Sequence, residues 1–342
     1  MSAPKKRPRQ TVTLEFPDNA FLAGLAGPHQ KHLVRMEQKL GVRVGMRGNI
    51  VSVEGSLRER AAGVLRALYA RLEAGETIGM ADLDSEIRFA GEGPGRDTAT
   101  TLGSPSIRTW AGHTTRARSP AQAAYLDLMR THPLVFGVGP AGTGKTYLAA
   151  AFGAHLLHER RVERLILSRP ALEAGERLGF LPGDLKEKID PYLRPLYDAL
   201  FDVMGESCLK LMEQGVIEVA PLAFMRGRTL SRAFVILDEA QNCTAAQMKM
   251  FLTRLGEESR MVVTGDPSQS DLPGGRPEGL DQALALLGGI EGAAVVRFSE
   301  KDVVRHALVT RIVAAYNAAE QGASANRTRK RAGRNDEGKG ER

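Results

Sequence analysis

The chain has 342 residues, of which 42% are hydrophobic and 25% are charged, as expected for a globular protein with one large core and a smaller second domain. Two cysteines without a C-x-x-C spacing exclude a disulfide framework, and no apolar run is long enough to cross a membrane. No signal peptide is evident, so we expect a cytoplasmic protein with no membrane partner.

The net charge of +7 is concentrated at the two ends of the chain. Residues 1–10 carry four basic residues and no acid, and residues 322–342 carry seven basic and three acidic residues. We expect residues 1–10 and 321–342 to be disordered basic tails. Such tails either contact phosphate backbones without sequence selectivity or serve only solubility.

Residues 11–90 are predicted to form a small α+β domain. Thr11–Phe16 alternates apolar and polar side chains as a half-buried strand does, and helices are predicted at Asn19–Ala23 and Pro28–Leu40. A hairpin follows around Gly48, and a further helix is predicted over Leu57–Leu72.

This order of elements resembles a KH domain, with Gly24-Leu25-Ala26-Gly27 between its first two helices. The resemblance implies a loop that clamps single-stranded RNA. Leu25 and Ala26 depart from the usual pattern, which has a basic residue there, although Lys31, His32 and Arg35 on the next helix offer charge. The alternative is an α+β module that docks against another protein.

Residues 91–119 are predicted to be a linker because they are rich in Gly, Thr, Ser and Arg and show little apolar periodicity. This segment contains the only tryptophan, Trp110. Its side chain either stacks on nucleic-acid bases together with Arg108, Arg116 and Arg118, or packs against the neighbouring domain.

The sequence then matches the phosphate-binding P-loop pattern G-x-x-x-x-G-K-[ST] without mismatch. A short apolar strand, Leu134–Val138, precedes the match, and a run of good helix formers, Thr146–Phe152, follows it. We expect backbone N–H groups to bind the phosphates of ATP, Lys145 to contact the β- and γ-phosphates, and Thr146 to bind Mg²⁺. The predicted nucleotide-binding residues are Gly139, Pro140, Ala141, Gly142, Thr143, Gly144, Lys145 and Thr146.

Further strands alternate with helical stretches over residues 120–320, which predicts an α/β fold of the P-loop NTPase type with a doubly wound parallel sheet. Ligands bind such sheets at the carboxyl ends of the strands. The predicted strands are Leu165–Leu167, Val216–Val219, Phe234–Leu237, Met261–Val263 and Val295–Phe298.

Two of these strands end in residues suited to hydrolysis. Ala233–Leu237 is followed by Asp238 and Glu239, a Walker B pattern in which Asp238 holds Mg²⁺ and Glu239 polarises the attacking water. A second acid favours hydrolysis over the phosphoryl transfer of a small-molecule kinase. The strand at Met261–Val263 leads to Gln269, which is predicted to sense the γ-phosphate.

Gln122 lies 17 residues before the P-loop. Its side chain carries both a donor and an acceptor, which suits it to pair with the adenine edge, as glutamines of helicase-like ATPases do.

The span from Gln122 to about Tyr316 resembles the PhoH-like ATPase family, which is related to superfamily 1 helicase cores, and the KH-like half matches its longer members. The resemblance implies an ATPase coupled to single-stranded RNA and an endoribonuclease partner in ribosomal RNA processing. Cys243 departs from the family, where a small polar residue such as Thr is expected. Besides the P-loop, the matching stretches are Arg169-Pro170, residues 173–184, 190–198, 238–242, 247–256 and 264–273, and Asp302 to His306.

Two arginines are candidates for an arginine finger, which stabilises transition-state charge on the phosphates. Arg305 follows the last strand and Arg169 ends a strand at the nucleotide edge, and for each the alternative is a structural ion pair. One P-loop core argues against a two-domain monomeric helicase and favours a homo-oligomeric ring. A slow, ATP-switched adaptor that recruits a ribonuclease is the alternative function.

Overall fold

The structure is a computed structural model that describes residues 11–91, 106–108, 110, 114–170, 185–269, 279–304, 309 and 312, with the backbone alone for 185–190. Contacts divide the chain into a unit of Met1–Asp302 and a unit of Val303–Arg342. The named helices and strands lie in the first unit. No helix within the described residues is long and apolar enough to span a membrane.

The amino-terminal module is a three-stranded antiparallel sheet with four helices. Val51 and Val53 of the central strand are fully buried in one apolar cluster with Leu65 and Leu68. The predicted order of strands and helices is confirmed, and one helix at the end of the module was not predicted. The elements are β1 (Thr11–Glu15), α1 (Asn19–Ala26), α2 (Lys31–Leu40), β2 (Arg43–Arg47), β3 (Ile50–Glu54), α3 (Arg58–Glu73) and α4 (Met80–Phe89), with strand order β1-β3-β2.

The turn between α1 and α2 lies three residues later than the sequence suggested. Gly24, Leu25 and Ala26 belong to α1, and the side chains of Leu25 and Ala26 are buried, so this Gly-x-x-Gly stretch is helical up to Ala26 and is not a loop. Gly24 permits close packing, because a Cβ there would lie 3.0 Å from Leu72 of α3. The chain turns instead over residues 27–30, where Gly27, His29 and Gln30 all have positive φ.

The charged side chains expected to support RNA binding on α2 are mostly engaged within the module. His32 is buried, and its Nδ1 lies 3.1 Å from the carbonyl oxygen of Leu25. Arg35 forms two hydrogen bonds of 2.8 and 2.9 Å with Asp84. Lys31 is exposed beside the turn.

Part of the predicted linker is folded, which corrects the expectation for its described residues. Residues 106–108 (β4) and 114–116 (β5) pair as an antiparallel hairpin, and Ile107 is buried in the core of the next domain. Trp110 packs on the same core, with its ring centroid 5.1 Å from that of His158, which is the packing alternative. This segment has too few apolar side chains to form its own core, so Ile107 and Trp110 pack against the core of the next domain.

The second domain is built on a six-stranded parallel sheet of order β11-β6-β10-β9-β7-β8. Phe234 on one face of β9 packs with Phe152 of α6, whereas Val235 on the other face packs with Phe251 of α9. Both faces are covered, so the predicted doubly wound α/β fold is confirmed. The elements are α5 (Pro120–Thr131), β6 (Leu134–Val138), α6 (Lys145–His158), β7 (Arg164–Arg169), α7 (Leu185–Met204), α8 (Ser207–Glu213), β8 (Ile217–Pro221), β9 (Ala233–Leu237), α9 (Ala245–Leu252), β10 (Arg260–Gly265), α10 (Gly279–Leu287) and β11 (Ala293–Arg297).

Candidate nucleotide site

The predicted phosphate motifs meet at one edge of the sheet because parallel strands end there together. The P-loop follows β6, Asp238 and Glu239 follow β9, and Arg169 ends β7. Backbone hydrogen bonds join the ends of the strands: the N–H of Gly139 donates to Gly265 at 3.1 Å, and the N–H of Asp238 donates to Ser168 at 2.8 Å. This edge is where ligands of doubly wound sheets bind.

The P-loop has a backbone conformation that favours glycine. Gly139, Gly142 and Gly144 have φ of 139°, 81° and 80°, values that side chains rarely permit. A Cβ at Gly139 would also lie 2.3 Å from the carbonyl oxygen of Phe298. The loop leads into the amino terminus of α6, where N–H groups without helical partners and the helix dipole favour an anion.

The ammonium group of Lys145 lies against the loop itself. Its Nζ donates to the carbonyl oxygens of Gly139 at 2.6 Å and Pro140 at 2.8 Å, and the side chain of Thr143 lies 3.4 Å away. Lys145 is buried. Phosphate oxygens bound in the loop would be charged partners within reach of this ammonium group.

Two hydroxyl-bearing side chains converge on Asp238, the first acid of the Walker B pattern. The hydroxyl of Thr146 donates to Oδ1 of Asp238 at 2.6 Å, and the hydroxyl of Thr264 donates to the same oxygen at 2.7 Å. Mg²⁺ in nucleotide sites is bound by one or two such side chains together with phosphates and water. The adjacent hydroxyl and carboxylate therefore fit Mg²⁺, and the roles of Thr146 and Asp238 as its ligands stay predictions.

Glu239 is held on both of its carboxylate oxygens. Nη2 of Arg169 donates to Oε1 at 2.7 Å, and the amide of Gln241 donates to Oε2. The backbone of Glu239 is left-handed, with φ of 52° and ψ of 42°, a conformation uncommon for residues other than glycine. The contact between Arg169 and Glu239 is the intrachain ion pair foreseen as the alternative to a finger, and Arg169 also donates to the carbonyl oxygen of Tyr192 at 3.0 Å.

Gln241 is a site residue that the sequence did not identify. It is buried, its Nε2 binds Glu239, and its Oε1 accepts a hydrogen bond of 3.0 Å from the backbone N–H of Asp266. It therefore joins the Walker B acids to the segment after β10. Its position two residues after Glu239, inside the Asp-Glu-Ala-Gln-Asn stretch, was the available signal.

The segment after β10 forms a turn that contains the predicted sensor. Oδ1 of Asp266 accepts hydrogen bonds from the backbone N–H and the hydroxyl of Ser268, at 3.0 and 2.7 Å. Gln269 is exposed, and its backbone N–H donates to Asp266 at 3.0 Å. Among the described residues its side chain has no hydrogen-bond partner, so its sensor role stays a prediction.

Gln122 binds the backbone on both sides of its amide. Nε2 donates to the carbonyl oxygen of Thr143 in the P-loop at 2.9 Å, and Oε1 accepts from the N–H of Arg118 at 2.6 Å. The side chain is 3% exposed. The predicted adenine reader thus lies beside the P-loop, but its amide is already bonded to the protein.

Tyr125, one turn further along α5, supports the P-loop strand. Its ring is fully buried, and a Cβ at Gly137 of β6 would lie 2.8 Å from it. Burial, and then the negative charge of Asp238, raise the pKa of this phenol well above its ordinary value. Tyr125 therefore stays neutral and acts as packing under the site.

Several sequence-based assignments fall outside the described residues. They are Arg305, the family-like stretches at 173–184 and 270–273, and the basic tails predicted at 1–10 and 321–342. The arginine-finger role of Arg305 therefore stays a prediction.

Comparison with known proteins agrees with this geometry. The model of the PhoH family, described as "PhoH-like protein", matches residues 114–317. A PhoH-like protein of Bacillus subtilis is 47% identical over 307 residues, covering 89% of this chain and 96% of the relative. One of Mycobacterium tuberculosis is 47% identical over 319 residues, covering 91% and 90%.

Likeness to solved structures is much weaker. The Sulfolobus solfataricus SWI2/SNF2 ATPase core in complex with dsDNA aligns with a TM-score of 0.34 at 15% identity, over 53% of this chain and 44% of that one. So distant a likeness carries no argument about ligands. The family match and the identity to these relatives show that this chain belongs to the PhoH-like family of P-loop ATPases.

Proposed function

We propose that this protein is a Mg²⁺-dependent ATPase whose turnover is coupled to binding or remodelling of single-stranded RNA. The observation that supports it best is the cluster at the sheet edge, where Lys145 and Thr146 of the P-loop lie beside Asp238 and Glu239 of the Walker B pattern. A P-loop with a second acid beside the metal ligand is the arrangement that hydrolysis requires, because water must lose a proton as it attacks.

The roles of the side chains follow from their positions. Lys145 exchanges loop carbonyls for oxygens of the β- and γ-phosphates, while Thr146 and Asp238 hold the cation. Bound Mg²⁺ neutralises charge on the phosphates and polarises the γ-phosphoryl group. Glu239 accepts the proton of the attacking water after one carboxylate oxygen turns away from Arg169 or Gln241, and Gln269 senses the γ-phosphate.

The turn at residues 27–30 is the place we propose for RNA contact in the amino-terminal module. It joins two helices as a KH clamp does, it contains three residues with positive φ, and Lys31 is exposed next to it. The basic ends of the chain would add contacts to phosphates that do not depend on sequence. We extend the proposal, on family resemblance alone, to ribosomal RNA processing with an endoribonuclease partner.

A slow ATP-switched adaptor is the second candidate, and the state of Glu239 favours it. Both oxygens of this carboxylate are bonded to Arg169 and Gln241, so the residue that must take a proton is held in a resting arrangement. Slow release of these bonds would give long-lived ATP-bound and ADP-bound states suited to recruiting a partner.

We also propose that the active form is a homo-oligomeric ring in which Arg305 acts on the nucleotide of a neighbouring subunit. Arg169 supports this indirectly. In this structure its guanidinium is paired with Glu239 of its own chain, so a second arginine would have to supply the transition-state charge.

ATP turnover with and without single-stranded RNA, with the oligomer mass measured in the same samples, tests the proposal. RNA-stimulated turnover in an assembly larger than a monomer is expected, and Lys31→Glu should weaken the stimulation while leaving the rate without RNA unchanged. Slow turnover that RNA does not alter would favour the adaptor. No hydrolysis by the wild-type protein would refute both.

A further inference from the structure

Gln122 has a contact pattern that differs from what base recognition requires. An amide pairs with adenine by presenting one donor and one acceptor to the same edge of the base. Here the donor is bonded to Thr143 of the P-loop and the acceptor to Arg118, at 2.9 and 2.6 Å, in a side chain that is 3% exposed.

We infer that Gln122 positions the P-loop for any nucleoside triphosphate and does not select the base. The inference rests on the proposed nucleotide site and deepens it. Turning the amide toward a base would leave the N–H of Arg118 and the carbonyl of Thr143 without these partners, and buried backbone groups are seldom left so.

The geometry explains how one side chain sets the loop. A peptide unit is planar and trans, so the carbonyl of Thr143 and the N–H of Gly144 point in opposite directions. Holding that carbonyl toward Gln122 turns the N–H of Gly144 away from Gln122. Gly144 has φ of 80°, and a Cβ there would lie 3.1 Å from Nε2 of Gln122, so loop and side chain are in close contact.

The backbone around Gln122 is also fixed on the side away from the P-loop. Ser119 caps α5 by accepting a hydrogen bond of 3.3 Å from the N–H of Gln122, and Pro120 is the first residue of that helix. The rigid start of α5 and the N–H of Arg118 thus hold the amide in place. Gln122 is therefore a positioning residue, acting on phosphates only through the loop.

Equilibrium affinities of Mg²⁺ complexes of ATP, GTP and CTP separate the two roles. Gln122→Glu keeps an acceptor for Arg118 but has no donor for Thr143, and Gln122→Met fills similar space without hydrogen bonds. We expect each variant to weaken the binding of all three nucleotides equally, by about tenfold or more, because Gln122→Glu loses one buried hydrogen bond and Gln122→Met loses two. Gln247→Ala, in the capping box of α9, is the matched control and should change none of them.

A selective loss of ATP affinity, with GTP and CTP affinities unchanged, would overturn the inference and support adenine recognition. Variants that bind all three nucleotides like the wild type would also overturn the inference. Hydrogen exchange without nucleotide provides an independent readout. We expect the N–H of Arg118, which donates to Oε1 of Gln122, to exchange faster in Gln122→Met than in Gln247→Ala, and equal exchange would contradict the positioning role. If the wild-type protein bound no nucleotide but the exchange difference between the variants were seen, the proposed function would be refuted and the positioning role of Gln122 would stand.

Discussion

Replacement of Gly139 by alanine tests how rigidly the P-loop is fixed. The added Cβ would lie 2.3 Å from the carbonyl oxygen and 2.9 Å from the carbonyl carbon of Phe298. Both are backbone atoms, so no side chain can rotate to relieve the clash. The backbone at Gly139 has φ of 139°, which L-residues rarely adopt, so strain adds to the clash.

The two contributions give an expected magnitude. Overpacking costs about 1–3 kcal/mol and an unfavourable φ about 1–3 kcal/mol, so Gly139→Ala should lower the free energy of unfolding by about 2–6 kcal/mol. Gly205, after α7, is the matched control because it has φ of 61° and no atom within 4 Å of an added Cβ. Gly205→Ala should cost only about 1–2 kcal/mol.

Urea unfolding followed by circular dichroism measures both variants against the wild type. We expect Gly139→Ala to lose more stability than Gly205→Ala and also to lose nucleotide affinity, which Gly205→Ala should retain. Equal losses in the two variants would refute the reasoning, because the contact between Gly139 and Phe298 would then be free to open.

Three further outcomes are expected. Hydrogen bonds from Arg228, together with its charge, lower the pKa of Glu218 below its ordinary value of 4.5. The pairing therefore stabilises the fold above that pH, and this stabilisation is lost as the pH falls through the lowered pKa. Glu218→Gln should lower the free energy of unfolding by up to about 1 kcal/mol at pH 7 and make it depend less on pH in the acid range. Burial raises the pKa of Cys243 to about 12, so its thiol should resist Ellman's reagent at pH 8 until urea unfolds the protein, and fast labelling of the native thiol would contradict its burial. Arg305→Ala subunits, inactive alone, should recover turnover when mixed with Lys145→Ala subunits, and a mixture that stays inactive would count against the ring.

The candidate nucleotide site was predictable from sequence because its signals are local. A buried strand, a glycine loop and a helix start define the P-loop, and Asp238 and Glu239 directly follow an apolar strand. The parallel sheet then brings these ends together without any further information.

The hydrogen bonds that support this site were not predictable in the same way, because the partners are distant in sequence. Gln122 and Gln241 are polar side chains with ordinary neighbours, and only the fold shows that they bind the backbones of Thr143 and Asp266. Their hydrogen bonds depend on how the loops at the sheet edge meet.

The amino-terminal turn was misplaced for a related reason. Gly24-Leu25-Ala26-Gly27 has the spacing of a loop, but Gly24 packs against Leu72 of α3 and Leu25 is buried, so tertiary contacts extend α1 through them. Helix propensity alone disfavours glycine inside a helix, and here packing outweighs it. The described part of residues 91–119 shows the same effect, since Ile107 is buried by a core it does not itself create.

Phosphate release from Mg²⁺-ATP by the wild type and by Glu239→Gln, with nucleotide affinity measured in the same samples, tests the central claim most directly. We expect Glu239→Gln to keep its affinity and to release phosphate at least about 10²-fold more slowly, the scale for loss of a general base. Lys145→Ala should lose affinity as well as turnover. Release at the wild-type rate by Glu239→Gln, or hydrolysis that persists in Lys145→Ala, would contradict the assignment of this sheet edge as the ATPase centre.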